Sequence, residues 1–220
     1  MTDNPVTLID PANWERAGQY RLFSTYAHPQ YAITARIDVT RLLTVLKPAG
    51  IQPATACMYA LGTAANVIPA FRHRLRADGM VSEFTRADIS STVALPGGGF
   101  AFSEITYDPD FPRFAANCRK ATQEAQAHAE LKPNSGDLNR FIFLTCTPWT
   151  DFTALNNAWR GPDDCIPRIA WGRITEDGNG RHSMAVSVEV HHALVDGEHV
   201  GRYFQEAQTA LDAIKAPQAG

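Results

Sequence analysis

Two periodicities divide the chain. Tyr31, Ile33, Ala35 and Ile37 alternate with more polar residues, which predicts a strand with one apolar face. Met184, Val186, Val188 and Val190 repeat that alternation near the C-terminus. The pattern then lengthens: Val200, Tyr203, Phe204, Ala207, Leu211 and Ile214 recur three or four residues apart and predict a helix with a single apolar face. Pro53 to Ile68 is nearly free of charge and predicts a helix buried on most sides. Asp38 caps a helix whose stripe is Leu42, Leu43 and Leu46. Asp10-Pro11 opens a short helix that carries Trp14 and Arg16, and Asp110-Phe111-Pro112 opens one that runs to about Leu131, short of Pro133.

Between these lie extended runs joined by turn residues. Phe71–Arg76 and Met80–Phe84 flank Asp78-Gly79, and Ile169–Thr175 and His182–Val190 flank Asp177-Gly178-Asn179-Gly180, two strong hairpin signals. Ile89–Leu95 and Phe100–Tyr107 are strands joined through Pro96 and three glycines, and Phe141–Thr145 is a buried strand that ends at Pro148-Trp149. Residues 150–167 are irregular. Strands and helices mix without strict alternation, which predicts an α+β fold: helices packed on a mainly antiparallel or mixed β-sheet. With no repeat, low-complexity tract or linker, residues 1–220 are expected to form a single domain.

The totals narrow the functional classes. Of 220 residues, 45% are hydrophobic and 20% charged, an ordinary balance for a globular protein. A net charge of −3 gives no basic footprint, so a nucleic-acid partner is not expected. No apolar run reaches the ~20 residues a membrane span needs, and the first ten residues lack a secretory signal. The four cysteines, Cys57, Cys118, Cys146 and Cys165, are widely spaced, which fits reduced thiols in the cytoplasm. Histidine spacings of metal sites are missing, so no metal is expected. Nor does a serine sit in G-x-S-x-G.

The densest chemistry is His191-His192-Ala193-Leu194-Val195-Asp196-Gly197, between the last strand and the last helix. Period two carries the face of Val186, Val188 and Val190 on to His192 and puts His191 on the opposite face. An isolated histidine on an apolar face is ordinarily a satisfied core residue. This one stands where the chain turns, with Asp-Gly at a fixed offset, and a partly dry imidazole there is suited to general-base work near pH 7. Asp196 is placed to cap the last helix, and Gly197 to permit the turn.

HHALVDG resembles the HHxxxDG signature of the chloramphenicol acetyltransferase family. Other landmarks follow in family order: Trp14-Glu15-Arg16 is similar to its W-x-R, Ala35–Asp38 to the strand-to-helix entry, Phe71–Val81 to a hairpin, and Thr145-Cys146-Thr147-Pro148-Trp149 to its S-x-x-P-W. The resemblance spans nearly the whole chain. HHxxxDG alone is shared with dihydrolipoyl acyltransferase cores and peptide-synthetase condensation domains. It implies a CoA-dependent O-acetyltransferase with acetyl-CoA as co-substrate and no tightly bound cofactor. By the same resemblance His192 is the general base, Thr145 the oxyanion donor in place of serine, and Asp196–Arg16 a supporting ion pair. The family is trimeric, with sites between subunits, so a homotrimer is implied.

The departures concern the acceptor. Phe23 stands where the family places an aromatic of the acceptor pocket, and the resemblance implies substrate-binding roles for Phe23, for Trp149 of the P-W segment and for Ala170. Ala170 replaces a threonine, Arg173 replaces a lysine near the coenzyme phosphate, and Gly50 and Gln52 replace a lysine and an aromatic before the first core helix. Residues 150–167 carry Trp159, Arg160, Asp163 and Asp164 where the family is rich in Phe and Asn. Acetylation of another alcohol or amine in secondary metabolism is therefore an alternative, as is a non-catalytic binding protein of the same fold. A dihydrolipoyl acyltransferase core is not expected, since no lipoyl segment precedes the domain.

Overall fold

The computed structural model describes residues 4–95, 97–127, 131 and 133–217. Its frame is a six-stranded mixed sheet of β2 (Gln30–Asp38), β9 (His182–His191), β8 (Arg168–Glu176), β7 (Phe141–Thr147), β5 (Asp88–Ala94) and β6 (Phe100–Ile105), in that spatial order. β7 runs parallel to both β5 and β8, and the other neighbours are antiparallel. A smaller antiparallel sheet orders β1 (Val6–Ile9), β4 (Val81–Phe84) and β3 (His73–Leu75). The helices are α1 (Ala17–Phe23), α2 (Pro53–Val67), α3 (Phe111–Gln126) and α4 (Gly197–Ala213).

Helices α2 and α4 form the core with one face of the large sheet. Ile89, Ile142, Ile169, Val186, Val188 and Val190 share that core with Ala60, Leu61, Ala64 and Tyr203. The alanine-rich sequence of α2 explains how closely it approaches: a Cβ at Gly62 would come within 2.6 Å of Ile89 Cδ1. Tyr203 of α4 stacks on Phe71 at 4.8 Å and donates its hydroxyl to the Leu61 carbonyl at 2.9 Å, which satisfies a fully buried polar group. The core face of the sheet is therefore filled where α2 and α4 cover it.

The predicted α+β class, both hairpins and the irregular stretch after β7 are present. Three elements differ. The helix expected to carry Trp14 and Arg16 is broken: the Asp10 carboxylate accepts from the Ala12 amide at 2.9 Å and closes one short turn, Pro11–Asn13, before Trp14 extends and α1 begins after Arg16. The segment after Asp38 winds wide, with Lys47 N bonding to Leu42 O at 2.8 Å, yet still buries Leu42 and Leu46. Helix α3 ends at Gln126, where its buried stripe of Phe114, Cys118, Ala121 and Ala125 ends, rather than near Leu131. The turn expected at Pro96 and the helix expected at 128–130 lie outside the described residues. Among the described residues no helix is long and apolar enough to cross a membrane.

Candidate active site

The turn after β9 is fixed by backbone hydrogen bonds. Leu194 N and Val195 N both bond to His191 O at 3.0 Å, and His192 N bonds to the Pro29 carbonyl at 2.9 Å. Antiparallel pairing of β2 with β9 places Tyr31 opposite Val190, so the tyrosine lies beside the imidazole that follows. The His192 ring stacks on Phe23 with centroids 3.8 Å apart and planes 6° apart, and Tyr31 packs at 4.6 Å. One third of the His192 side chain stays exposed. Its Nδ1 is buried without a hydrogen bond and lies 3.4 Å from Asp196 Oδ1. Nε2 is thus the nitrogen left to meet another molecule.

Arg16 grips Asp196 with both terminal nitrogens: Nη2 donates to Oδ1 at 2.9 Å and Nη1 to Oδ2. A planar guanidinium matches a carboxylate in this two-pronged way as lysine cannot. Those bonds hold the Asp196 carboxyl below the usual carboxylate range. Asp196 N donates to His199 Nδ1 at 3.0 Å at the start of α4. The tyrosine hydroxyl of Tyr31 donates to Val195 O at 3.2 Å, and burial raises its pKa. Position 192 therefore has an aromatic floor, a rigid turn and a neighbouring negative charge.

His191 faces the other way, as the alternation predicts. Its Nδ1 accepts from Ala193 N at 3.2 Å, so its Nε2 carries the proton and donates to Pro162 O at 2.9 Å. Burial lowers its pKa. His191 thereby ties the irregular strap, residues 150–167, to the turn. Gln30 adds donations at 3.0 Å to Gly161 O and Asp164 O. Glu189 accepts from Asn157 N at 2.6 Å and from Trp159 Nε1 at 3.0 Å, and burial raises its pKa. Arg168 lies over the Trp159 ring at 3.7 Å and donates to Asp164 at 2.6 Å. At Asp164 burial works against ionisation, but the hydrogen bond and charge of Arg168 outweigh it and the pKa is lowered.

The strap and the outer sheet face enclose a cavity of about 530 Å³. Thr145 lines it, with Ser90 and Thr92 from β5, Phe102 from β6, Phe143 from β7 and Arg168 from β8. Thr145 therefore borders a space large enough for a small molecule. Trp149, at 81% exposure, and Arg173, also exposed, flank the end of β7. The turn is held there by the bond from Arg173 N to Thr150 O at 2.9 Å, and Gly172 admits it, since a Cβ would lie 2.7 Å from that oxygen. Ala170 is fully buried against Phe152 and Ala185, under the strap.

The chain brings His192, Phe23, Asp196 and Arg16 together, and separately gathers Thr145, Trp149 and Arg173 around the far part of β7. It does not join the two groups. Thr145 pairs with Ala170, which pairs with Ser187, five residues before His192. Two strand spacings and five strand residues put the backbones at residues 145 and 192 roughly 19 Å apart. Sequence reasoning missed Tyr31, Gln30 and Arg168: the first two depend on the β2–β9 register, and nothing in the sequence specifies it. Among the described residues no cluster of three or more His, Cys, Asp or Glu could hold a metal ion.

Comparison with known proteins adds a whole-chain likeness. A profile of the family described as chloramphenicol acetyltransferase matches residues 4–208. A chloramphenicol acetyltransferase of Clostridium perfringens is 29% identical over 204 residues, 91% of this chain and 92% of that protein. Chloramphenicol acetyltransferase 2 of Escherichia coli is 26% identical over 209 residues, 94% of this chain and 98% of that protein. A solved structure of a chloramphenicol acetyltransferase superposes with a TM-score of 0.80 at 26% identity, covering 94% of this chain and all of the other.

Proposed function

This chain belongs to the chloramphenicol acetyltransferase family and is an acyltransferase, and from that premise we propose that it moves an acetyl group from acetyl-CoA to a hydroxyl of chloramphenicol or a similar small molecule. His192 is the general base and Thr145 the oxyanion donor. The observation that carries this reading is the His192 setting: a one-third-exposed imidazole, pinned between Phe23 and Tyr31, with Asp196 at its inner nitrogen.

In the reaction, Nε2 of His192 takes the proton of the acceptor hydroxyl as that oxygen attacks the thioester carbonyl. The carbonyl oxygen becomes an oxyanion, which accepts a hydrogen bond from Thr145 Oγ1. Collapse breaks the carbon–sulfur bond, and the departing CoA thiolate takes the proton back from the imidazolium. Asp196 keeps negative charge 3.4 Å from Nδ1 while the ring is positive. No acyl-enzyme forms. Arg173 is the cofactor-binding residue, its guanidinium available to a CoA phosphate, while Phe23, Trp149 and Ala170 belong to the acceptor side.

The separation of His192 from Thr145 supports a site composed from two copies, with one chain's imidazole entering its neighbour's cavity. Rotational closure of such a head-to-tail contact gives a homotrimer, about 72 kDa from three 24.1 kDa chains. Size measurement in solution tests it, and a monomer would sink it. The activity test is release of free CoA thiol from acetyl-CoA with a panel of alcohols and amines, chloramphenicol included. Release that His192→Ala leaves unchanged would overturn the mechanism. A second reading, an acyltransferase of secondary-metabolite biosynthesis, is favoured by one observation: the strap sets Arg160 in the cavity wall beside Arg168 of β8.

A further inference from the structure

The cavity that holds Thr145 has an uneven lining. Among the described residues, the two charged side chains that line it are Arg160 and Arg168, while the carboxylates of Asp164 and Glu189 lie behind the wall. Arg168 is held rigidly, 7% exposed, over Trp159 at 3.7 Å and near Phe143 at 5.6 Å. Its hydrogen bonds to the protein go to Asp164 and, at 3.3 Å, to Ile166 O. A guanidinium has five N–H groups, and these two bonds use two of them. Arg160 reaches the same Asp164 oxygen only at 3.5 Å and its side chain is 59% exposed. Two guanidinium groups thus share one carboxylate at the cavity wall. Phe100, Phe102 and Phe143 supply an aromatic surface beside them.

We propose that the preferred acceptor is an aromatic alcohol bearing a carboxylate, with its ring against the phenylalanines and its carboxylate on Arg168 and Arg160. This rests on the reading that the Thr145 cavity receives the acceptor. A carboxylate on a preset guanidinium forms charge-assisted, two-pronged hydrogen bonds, whereas a neutral molecule of the same shape leaves those donors unpaired in a partly dry wall. Asn157 and Asn134, the latter accepting from Ser90 Oγ at 2.9 Å, also line the cavity and make its wall polar beside the arginines.

The test uses the full-length protein and a matched pair of acceptors, 4-(hydroxymethyl)benzoic acid and its methyl ester, with CoA thiol release as readout. The expected ratio of kcat/KM, acid over ester, is about tenfold or more. Arg168→Gln should bring the ratio close to one, and Arg160→Gln, a change at an exposed side chain, should lower it several-fold. An ester served as well as the acid, or a ratio that neither substitution moves, would overturn the proposal and leave the acetyltransferase reading standing. If no alcohol in the panel releases thiol, that reading fails. Calorimetry with the acid then decides the pocket: binding that both substitutions weaken supports the arginine site, and no binding removes it.

Discussion

The imidazole of His192 lies face to face on the ring of Phe23, 3.8 Å between centroids and 6° between planes. Phe23 is the last residue of α1, and that helix starts just after Arg16, which grips Asp196. One short helix therefore sets both the orientation of the imidazole and the anchor of the turn beneath it. Phe23→Ala removes the surface that fixes the ring. We expect kcat to fall about tenfold with a smaller change in the KM for acetyl-CoA, and Phe23→Tyr to restore most of it. Steady-state kinetics on the three proteins checks this.

Arg16 is 7% exposed and holds its charge against Asp196. Removing one partner leaves the other charge partly buried and alone. Asp196→Asn and Arg16→Gln should each cost about 3 kcal/mol of unfolding free energy, measured by denaturant titration. Arg16→Lys should recover little of it, because an ammonium cannot make the two-pronged contact.

The two halves of the proposed site can be inactivated separately. His192→Ala should lower kcat by about 10²–10⁴, and Thr145→Val by about 10² or more through loss of the oxyanion donor. Thr145→Ser should stay active. If the site is shared between copies, unfolding and reassembling the two inactive variants together should restore about a quarter of wild-type activity, since random pairing makes that share of sites intact. Mixtures that remain inactive would place both residues in one chain's site or neither.

Three partly or fully buried histidines set the response to acid. Burial lowers the pKa of His73 to about 4, and lowers those of His191 and His199. In the unfolded chain each titrates near 6.5. The stability that depends on their neutrality is fully present above pH 6.5 and is lost as pH falls toward 4. For His73, 6% exposed, that loss is on the order of 3 kcal/mol over the whole window. His73→Leu should flatten the decline between pH 6.5 and 4 in denaturant titrations.

The sequence made some of this legible and hid the rest for physical reasons. Period-two alternation placed His192 on the face of Val190 and His191 on the other, and the structure follows it because side chains alternate strictly along a strand. The Arg16–Asp196 pair, 180 residues apart, was expected from the family resemblance, and no local pattern could have supplied it. Tyr31 and Gln30 were ordinary strand residues until the β2–β9 register set them beside His192 and the strap. Trp159, Arg160, Asp163 and Asp164 stood out as departures, but Glu189 did not, since a carboxylate in an alternating strand normally faces water. Its partners come from a loop that has no period to read.

The strap from 150 to 167 has a distinct origin for its order. Between its two ends, which backbone bonds tie to β8 and β7, its fixed points are side-chain contacts: Glu189 on Asn157 and Trp159, Ser187 on Leu155, Gln30 on Gly161 and Asp164, and His191 on Pro162. A strand zipped into a ladder opens with its sheet, whereas a segment pinned at scattered points can detach while the sheet beneath stays shut. Amide hydrogens along the strap should exchange with solvent well before those of β8 and β9. On gentle warming, the proposed acceptor wall would then loosen while His192 and its support keep their form, and discrimination would fade before catalytic capacity does.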